Sequence, residues 1–267
     1  MVGVTIALLG GGKMGGALVA GWLESGYEPD RIVVAEADAD RRRDLEATLP
    51  GVRIVPSAAW AVPDTEAVIV AVKPADVAAV LEGAGATLPE HALVLSIAAG
   101  VRIAELERLA PGRPVVRAMP NTPAVVRRAA SAIAAGHLAT EADLDLATSL
   151  LGAVGTVGRV EEHLLDAVTG LSGSGPAYLF LVAEALIEAG VLAGLPRETS
   201  SDLVIQTLLG SATLLAETRD PEKLRAMVTS PGGTTAAGLR ELERSGLRAA
   251  MLDAVTAATE RSRELGG

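Results

Sequence analysis

An apolar run of strand length, Val4 to Leu9, leads straight into Gly10-Gly11-Gly12-Lys13-Met14-Gly15 and then into a helical pattern reaching about Ser25. Strand, G-x-G-x-x-G turn and helix in immediate succession leave few folds open. Each spaced glycine has its own task. Gly10 allows the tight turn, Gly12 lets a pyrophosphate reach the backbone, and Gly15 lets the helix pack on the strand. Arg31 to Ala35 reads as the second strand, and Glu36 ends it, 21 residues past Gly15, where an acid would hold a ribose hydroxyl. A structural glycine turn alone would not call for that acid. Lys13 is not a P-loop lysine, because Met14 stands where Ser or Thr is needed.

Strands and helices go on alternating. Ala67 to Val72 is a buried strand ended by Lys73-Pro74, and Ala75 to Gly83 reads as helix. Ala92 to Ile97 is a strand stopping at Ala98-Ala99-Gly100, and Val101 to Leu109 is helical. Pro114 to Met119 is a strand followed by Pro120-Asn121-Thr122-Pro123, and Ser131 to Ala135 is another. Thr140-Glu141-Ala142-Asp143 resembles a capping box opening a helix to about Leu151. The alternation predicts a parallel sheet covered on both faces. Ligands of such sheets bind beyond the carboxyl ends of the strands, where Lys73-Pro74, Ala98-Ala99-Gly100 and Pro120-Asn121 fall. Taken singly, each of these also reads as a plain loop.

From about Glu161 the strand signals stop and four or five helical segments follow, with Pro176, Pro196 and Pro221 at helix starts and Gly190, Gly194 and Gly246 as stops. The expected organisation is an α/β, Rossmann-type parallel-sheet domain over 1–160 and an all-α dimerisation domain over 161–267. The helix from Pro176 is apolar nearly all round. It carries Glu184 and Glu188, so it reads as a buried helix and not a membrane span. Helices with such faces would bury more in a second copy than alone, predicting a homo-oligomer, a dimer or a multiple of dimers.

The 267 residues have a net charge of −10 with acids and bases interspersed, which argues against nucleic acid or an anionic membrane as partner. The sequence holds no cysteine, hence no disulfide and no thiolate nucleophile, in keeping with a cytoplasmic protein. The apolar start lacks a basic n-region and does not read as a signal peptide. His91, His137 and His163 stand in no ligand spacing, so no metal is expected. Gly170-Leu171-Ser172-Gly173-Ser174 is not G-x-S-x-G. What remains is hydride transfer between a nicotinamide and a small substrate, which needs orientation and charge complementarity. The glycines at 170, 173 and 175 have the spacing that introduces the catalytic lysine of β-hydroxyacid dehydrogenases, but Leu179 stands at that lysine's position. An imine, electrophilic once protonated, has less need of such a group. Late in the chain, Thr229-Ser230-Pro231-Gly232-Gly233-Thr234-Thr235 brings hydroxyls and a glycine turn to a helix start, which suits either an ordinary capped turn or a small carboxylate.

Several stretches together resemble the Δ1-pyrroline-5-carboxylate reductase family over essentially the full length. They are Gly10 to Gly15, Ala71 to Pro74, Arg117 to Pro123, Asp166 to Tyr178 and Ser230 to Thr235. The resemblance implies reduction of 1-pyrroline-5-carboxylate to L-proline with NADPH or NADH, NADP(H) or NAD(H) being the only cofactor, and a site at a dimer interface. Thr235 would hydrogen-bond the imine nitrogen as the catalytic group. Gly233 and Thr234 would offer backbone N–H groups to the substrate carboxylate, beside Ser230, and Glu162 would bound the pocket. The implied cofactor residues are Gly10, Gly11, Gly12, Lys13, Met14, Gly15, Glu36, Ala71, Val72, Lys73, Pro74, Ala98 and Ala99. Two departures from the family pattern are Met227, where some relatives place an Asn, and Ser57-Ala58-Ala59, which lacks an Asn near the adenosine. Glu36 suits the NADH ribose, whereas Arg41, Arg42 and Arg43 suit a 2′-phosphate. A related imine or hydroxyacid reductase, and a non-catalytic dinucleotide-binding regulator, are the alternatives.

Overall fold

A computed structural model describes residues 3–266. Eight strands form one sheet: β1 Ile6–Leu9, β2 Ile32–Ala35, β3 Arg53–Val55, β4 Ala67–Val70, β5 Leu93–Ser96, β6 Val115–Met119, β7 Ala129–Ala135 and β8 Gly155–Arg159. Their order is β3-β2-β1-β4-β5-β6-β7-β8. The chain winds outward from β1 in both directions, so the edge between β1 and β4 is a topological switch point. Between the strands lie α1 Lys13–Glu24, α2 Ala39–Thr48, α3 Ala58–Ala61, α4 Val77–Ala84, α5 Ile103–Leu109 and α6 Glu141–Gly152. Then follow α7 Leu165–Val168, α8 Gly175–Leu192, α9 Arg197–Thr218, α10 Pro221–Met227, α11 Thr234–Arg244 and α12 Leu247–Gly266.

The inner strands are continuous apolar runs because both faces are covered. Alternate residues of β1 separate accordingly. Ala7 and Leu9 join one core with Val77 and Leu81 of α4 and Ile103 and Leu106 of α5. Ile6 and Leu8 join the other with Leu18, Val19 and Trp22 of α1 and Leu150 and Leu151 of α6. With so few aromatic residues, Trp22 is the largest fully buried side chain.

The sheet departs from the all-parallel expectation at one place: β7 runs antiparallel to β6. The link between them is a single 3-10 turn, Thr122–Val126. That is too short for the crossover a parallel pair requires. β8 then returns parallel to β7 after α6. Strand β3, of sequence RIV, is only three residues long, and β8, GTVGR, carries a single apolar residue, so both are legible only through their pairing.

By compactness the chain divides into two units. The first holds the residues up to Ser174 together with those from Thr256 onward, and the second runs Gly175–Val255. The sequence-based division at 160/161 therefore differs from the compact one, which keeps α7 and the end of α12 with the sheet. The second unit is all helical. Ser200 Oγ donates to the Ile187 carbonyl at 2.9 Å, linking α9 to α8. Gly190 does not end α8 but lies inside it, and a Cβ there would strike Ser200 Oγ. Gly194 and Gly246 do sit at chain reversals with positive φ, +99° and +76°. No residue of α8 is buried within this chain: Leu179, Phe180 and Leu181 are each more than 60% exposed. The continuous helical stretch Glu162–Leu192 is long and apolar enough to cross a membrane by length and composition.

Trp22 Nε1 donates to the Leu150 carbonyl at 2.8 Å, near the end of α6, where helix carbonyls lack internal donors. Trp22→Phe keeps most of the packing and orphans that acceptor. Urea denaturation should register a loss of about 1–3 kcal/mol, read as a lower midpoint at unchanged slope.

Candidate active site

A cavity of about 520 Å³ opens at the switch point, lined among others by Gly10, Gly12, Glu36, Arg41, Ala71, Val72 and Lys73. The three spaced glycines differ in what surrounds them. Gly10 has φ +108°, and a Cβ on it would sit 2.8 Å from the Ala71 carbonyl oxygen and from Val72 Cγ1. A Cβ on Gly15 would collide with the Gly10 carbonyl oxygen. A Cβ on Gly12 would meet nothing within 4 Å, although Gly12 lines the cavity. Gly12 therefore presents bare backbone to the cavity. This open backbone at the start of α1 fits a pyrophosphate. Gly11 completes the turn, and Lys13 and Met14 open α1.

Glu36 is 7% exposed and already engaged. Its Oε2 accepts from Gly11 N at 3.0 Å and pairs with Arg41 Nη1 at 3.4 Å, while Oε1 accepts from Asp38 N at 2.9 Å. The acid thus braces the glycine turn as well as facing the cavity. Asp38 caps α2 by accepting from Arg41 N and Asp40 N at 2.8 and 3.0 Å. The Arg41 N–H first of all, then that of Asp40 and the nearby Arg41 and Arg42 charges, hold the Asp38 carboxyl below its usual range. Of the three adjacent arginines only Arg41 lines the cavity. Arg42 donates to the Glu36 and Ala37 carbonyls, and Arg43 pairs with Asp40.

A second cavity, about 280 Å³, continues past Ala71 and Val72 and is lined by Met14, Ile97, Ala98, Ala99, Met119, Pro120, Asn121, Thr122 and Gly173. Pro74 lines neighbouring hollows, one of which includes Ala99. Of the cofactor residues expected from the sequence, Gly10, Gly12, Met14, Glu36, Ala71, Val72, Lys73, Ala98 and Ala99 line these two cavities, whereas Gly11, Lys13 and Gly15 line neither. Of the wall residues, Asn121 falls beyond a strand's carboxyl end as the sequence indicates, whereas Gly173 has no sequence signal for that role. Asn121 is buried and clamps two segments, its Nδ2 donating to the Ser172 carbonyl and its Oδ1 accepting from Ala130 N, both at 2.9 Å. Gly173 ends a π-turn, Thr169–Gly173, and a Cβ on it would come within 2.7 Å of Met119 Cε. A π-turn leaves no mark in a sequence pattern, so the Gly173 part of this wall could not be foreseen.

Glu162 belongs to the first unit. Its Oε1 accepts from Ile103 N at 2.6 Å and from Arg117 Nη1 at 3.1 Å, which gives it a bracing task between β6 and the start of α5. Ser230, Gly233, Thr234 and Thr235 belong to the second unit. The turn before α11 is closed by Gly233 N donating to the Ser230 carbonyl at 3.0 Å, so the Gly233 N–H is committed. Gly233 is the N-cap, and no side chain caps α11. The N–H groups of its first turn are left without intrahelical acceptors, beside the exposed hydroxyls of Thr234 and Thr235. The capped-turn alternative is therefore not the arrangement present. Among the described residues no His, Cys, Asp or Glu cluster could hold a metal.

A doubly wound sheet with an open glycine turn and an acid at its switch point defines a dinucleotide-binding oxidoreductase fold. Residues 5–100 match the family model "NADP oxidoreductase coenzyme F420-dependent" and residues 162–265 the model "Pyrroline-5-carboxylate reductase dimerisation". A pyrroline-5-carboxylate reductase of Synechocystis is 44% identical over 267 residues, covering 98% of each chain. Among solved structures, one from Coxiella burnetii is 37% identical, with TM-score 0.93 and 99% of both chains covered. One from Plasmodium falciparum, with NADP bound, is 29% identical, with TM-score 0.87 and 100% of both covered. This chain belongs to the pyrroline-5-carboxylate reductase family.

Two alanine substitutions should separate fold from ligand. Gly12→Ala should leave thermal stability nearly unchanged and weaken dinucleotide binding at least tenfold, by fluorescence titration. Gly15→Ala should lower stability by about 1–3 kcal/mol, because the backbone it strikes has little room to yield. Equal effects of the two on binding and stability would contradict the division of labour.

Proposed function

We propose that this protein reduces 1-pyrroline-5-carboxylate to L-proline, the last step of proline biosynthesis, using a reduced nicotinamide dinucleotide. When bound, the dinucleotide supplies the hydride. Gly10 to Gly15 hold its pyrophosphate at the start of α1. Glu36 and Arg41 face the adenosine ribose, and Lys73 faces the same cavity. Val72, Ala98, Ala99 and Met14 shape the hollow that continues from it. The bare first turn of α11 carries the substrate half of the reading. Free N–H groups and the helix dipole favour a carboxylate there, with Thr234 N–H and the Ser230 hydroxyl as donors. Gly233 contributes by its small size, its own N–H being spent on the turn. Thr235 orients the imine nitrogen, and a protonated imine needs no strong general acid beyond that.

Leu179, in place of a catalytic lysine, speaks against a hydroxyacid substrate. The uncovered apolar face of α8 and the dimerisation match of 162–265 support a homodimer or a multiple of it, a second copy covering that face instead of lipid. A cytoplasmic location accords with a sequence free of cysteine.

The test follows nicotinamide absorbance with pyrroline-5-carboxylate against a 2-keto or 3-hydroxy acid; turnover of only the latter would overturn the substrate. Thr235→Val removes one hydrogen bond at the reacting centre and should lower kcat/KM about 10- to 100-fold, or roughly 1.5–3 kcal/mol, with dinucleotide binding intact. A variant as active as the parent would remove Thr235 from the mechanism.

Glu36 and Arg41 compete over the cofactor. The carboxylate suits both hydroxyls of an NADH ribose and would oppose a 2′-phosphate by about 1–4 kcal/mol at intermediate dielectric. NADH should be used at least as well as NADPH. Arg41→Ala should depress kcat/KM for NADPH more than for NADH. A preference for NADPH above tenfold that disappears in this variant would mean the arginine prevails.

A further inference from the structure

A third cavity in the first unit, about 360 Å³, is lined by Arg102, Arg117, Glu162, His163, Asp166 and Arg263, every one of them ionisable. Arg117 rises from β6 with its side chain only 7% exposed, and among the described residues that side chain has one polar contact, Nη1 to Glu162 Oε1 at 3.1 Å. A guanidinium carries five N–H donors, so a buried one with a single protein acceptor leaves the others to whatever fills the space. Arg102, just before α5, and Arg263, near the end of α12, reach the same cavity. Among the described residues neither makes an ion pair or a side-chain hydrogen bond, although the chain carries a net charge of −10. The acids present are largely spoken for. Glu162 Oε1 already accepts from Ile103 N and Arg117, and Asp166 Oδ1 accepts from Ser262 Oγ at 2.7 Å. His163 Nδ1 lies 3.2 Å from Glu161 Oε2. Three guanidiniums against two lining carboxylates leave a cationic surplus inside a strongly acidic protein.

We propose that this cavity binds a small oxyanion, a carboxylate or a phosphate, separate from the dinucleotide cleft. Arg117 grips it from the buried side and Arg102 and Arg263 from the rim. Forked guanidiniums present paired N–H donors that match either oxyanion. The bound anion ties β6, the start of α5 and the end of α12 together, so it stabilises the first unit.

The full-length protein is titrated with inorganic phosphate and, separately, with acetate, chloride replacing each to hold ionic strength constant, and Tm is followed. At least one probe should raise Tm saturably. Arg263→Gln, and Arg102→Gln combined with it, should weaken that response at least tenfold. Both positions are exposed, so the fold should persist, and the unliganded Tm checks it. Arg41→Gln, which disables the anion-holding side chain of the dinucleotide cleft, should leave the response intact. Thr234→Pro, which blocks the bare turn of α11, should also leave it intact. Response to phosphate alone, acetate alone or both supports the site and names its ligand. No saturable response to either, or a response that survives the double variant or vanishes with Arg41→Gln, overturns it.

Discussion

Helix α1 can lie against β1 only because nothing occupies the Cβ position of Gly15. Any side chain there would collide with the Gly10 carbonyl oxygen, one turn of backbone away. That close approach aims the free N–H groups at the start of α1 into the space beside β4, where the strand order reverses. The fold and the cleft therefore share a cause. The packing that lets the helix cover one face of the sheet also leaves the open backbone of Gly12 at the mouth of the cavity.

The electrostatics of the cleft rest on a single buried carboxylate. Glu36 is held by two backbone N–H donors, from Gly11 and Asp38, and by Arg41 at the rim. Burying an acid is costly without such partners. Here they come from the glycine turn itself and from the start of α2, so the acid that faces the cavity is also a strut of the turn. Arg41 is carried to the rim by the Asp38 cap. The same side chains therefore set local structure and line the cavity.

The helical unit follows a different logic. The faces of α8 and α9 are apolar, yet within one chain most of their large residues stay in contact with solvent. An exposed apolar surface of this extent marks an interaction face. The dimerisation match of this region accords with a second copy as the partner of that surface.

Local chemistry was enough for much of this protein. The fingerprint glycines, Glu36, the buried strands and the change from alternating to helical pattern near Glu161 are each set by residues close together in the chain, so they could be read directly. Ser230 to Thr235 was equally visible, though whether a hydroxyl capped α11 was not, since a cap depends on which way a side chain turns. Tertiary structure alone decided the rest. It made β7 antiparallel, because one 3-10 turn cannot cross over, and it formed β3, only three residues long, and β8, with a single apolar residue, which become strands only beside a neighbour. It placed Gly173 against Met119 through a π-turn, kept Gly190 inside a helix where Ser200 needs the room, and gave Glu162 a bracing task toward Arg117. Each of these depends on what a residue distant in sequence puts next to it, and no local pattern records that.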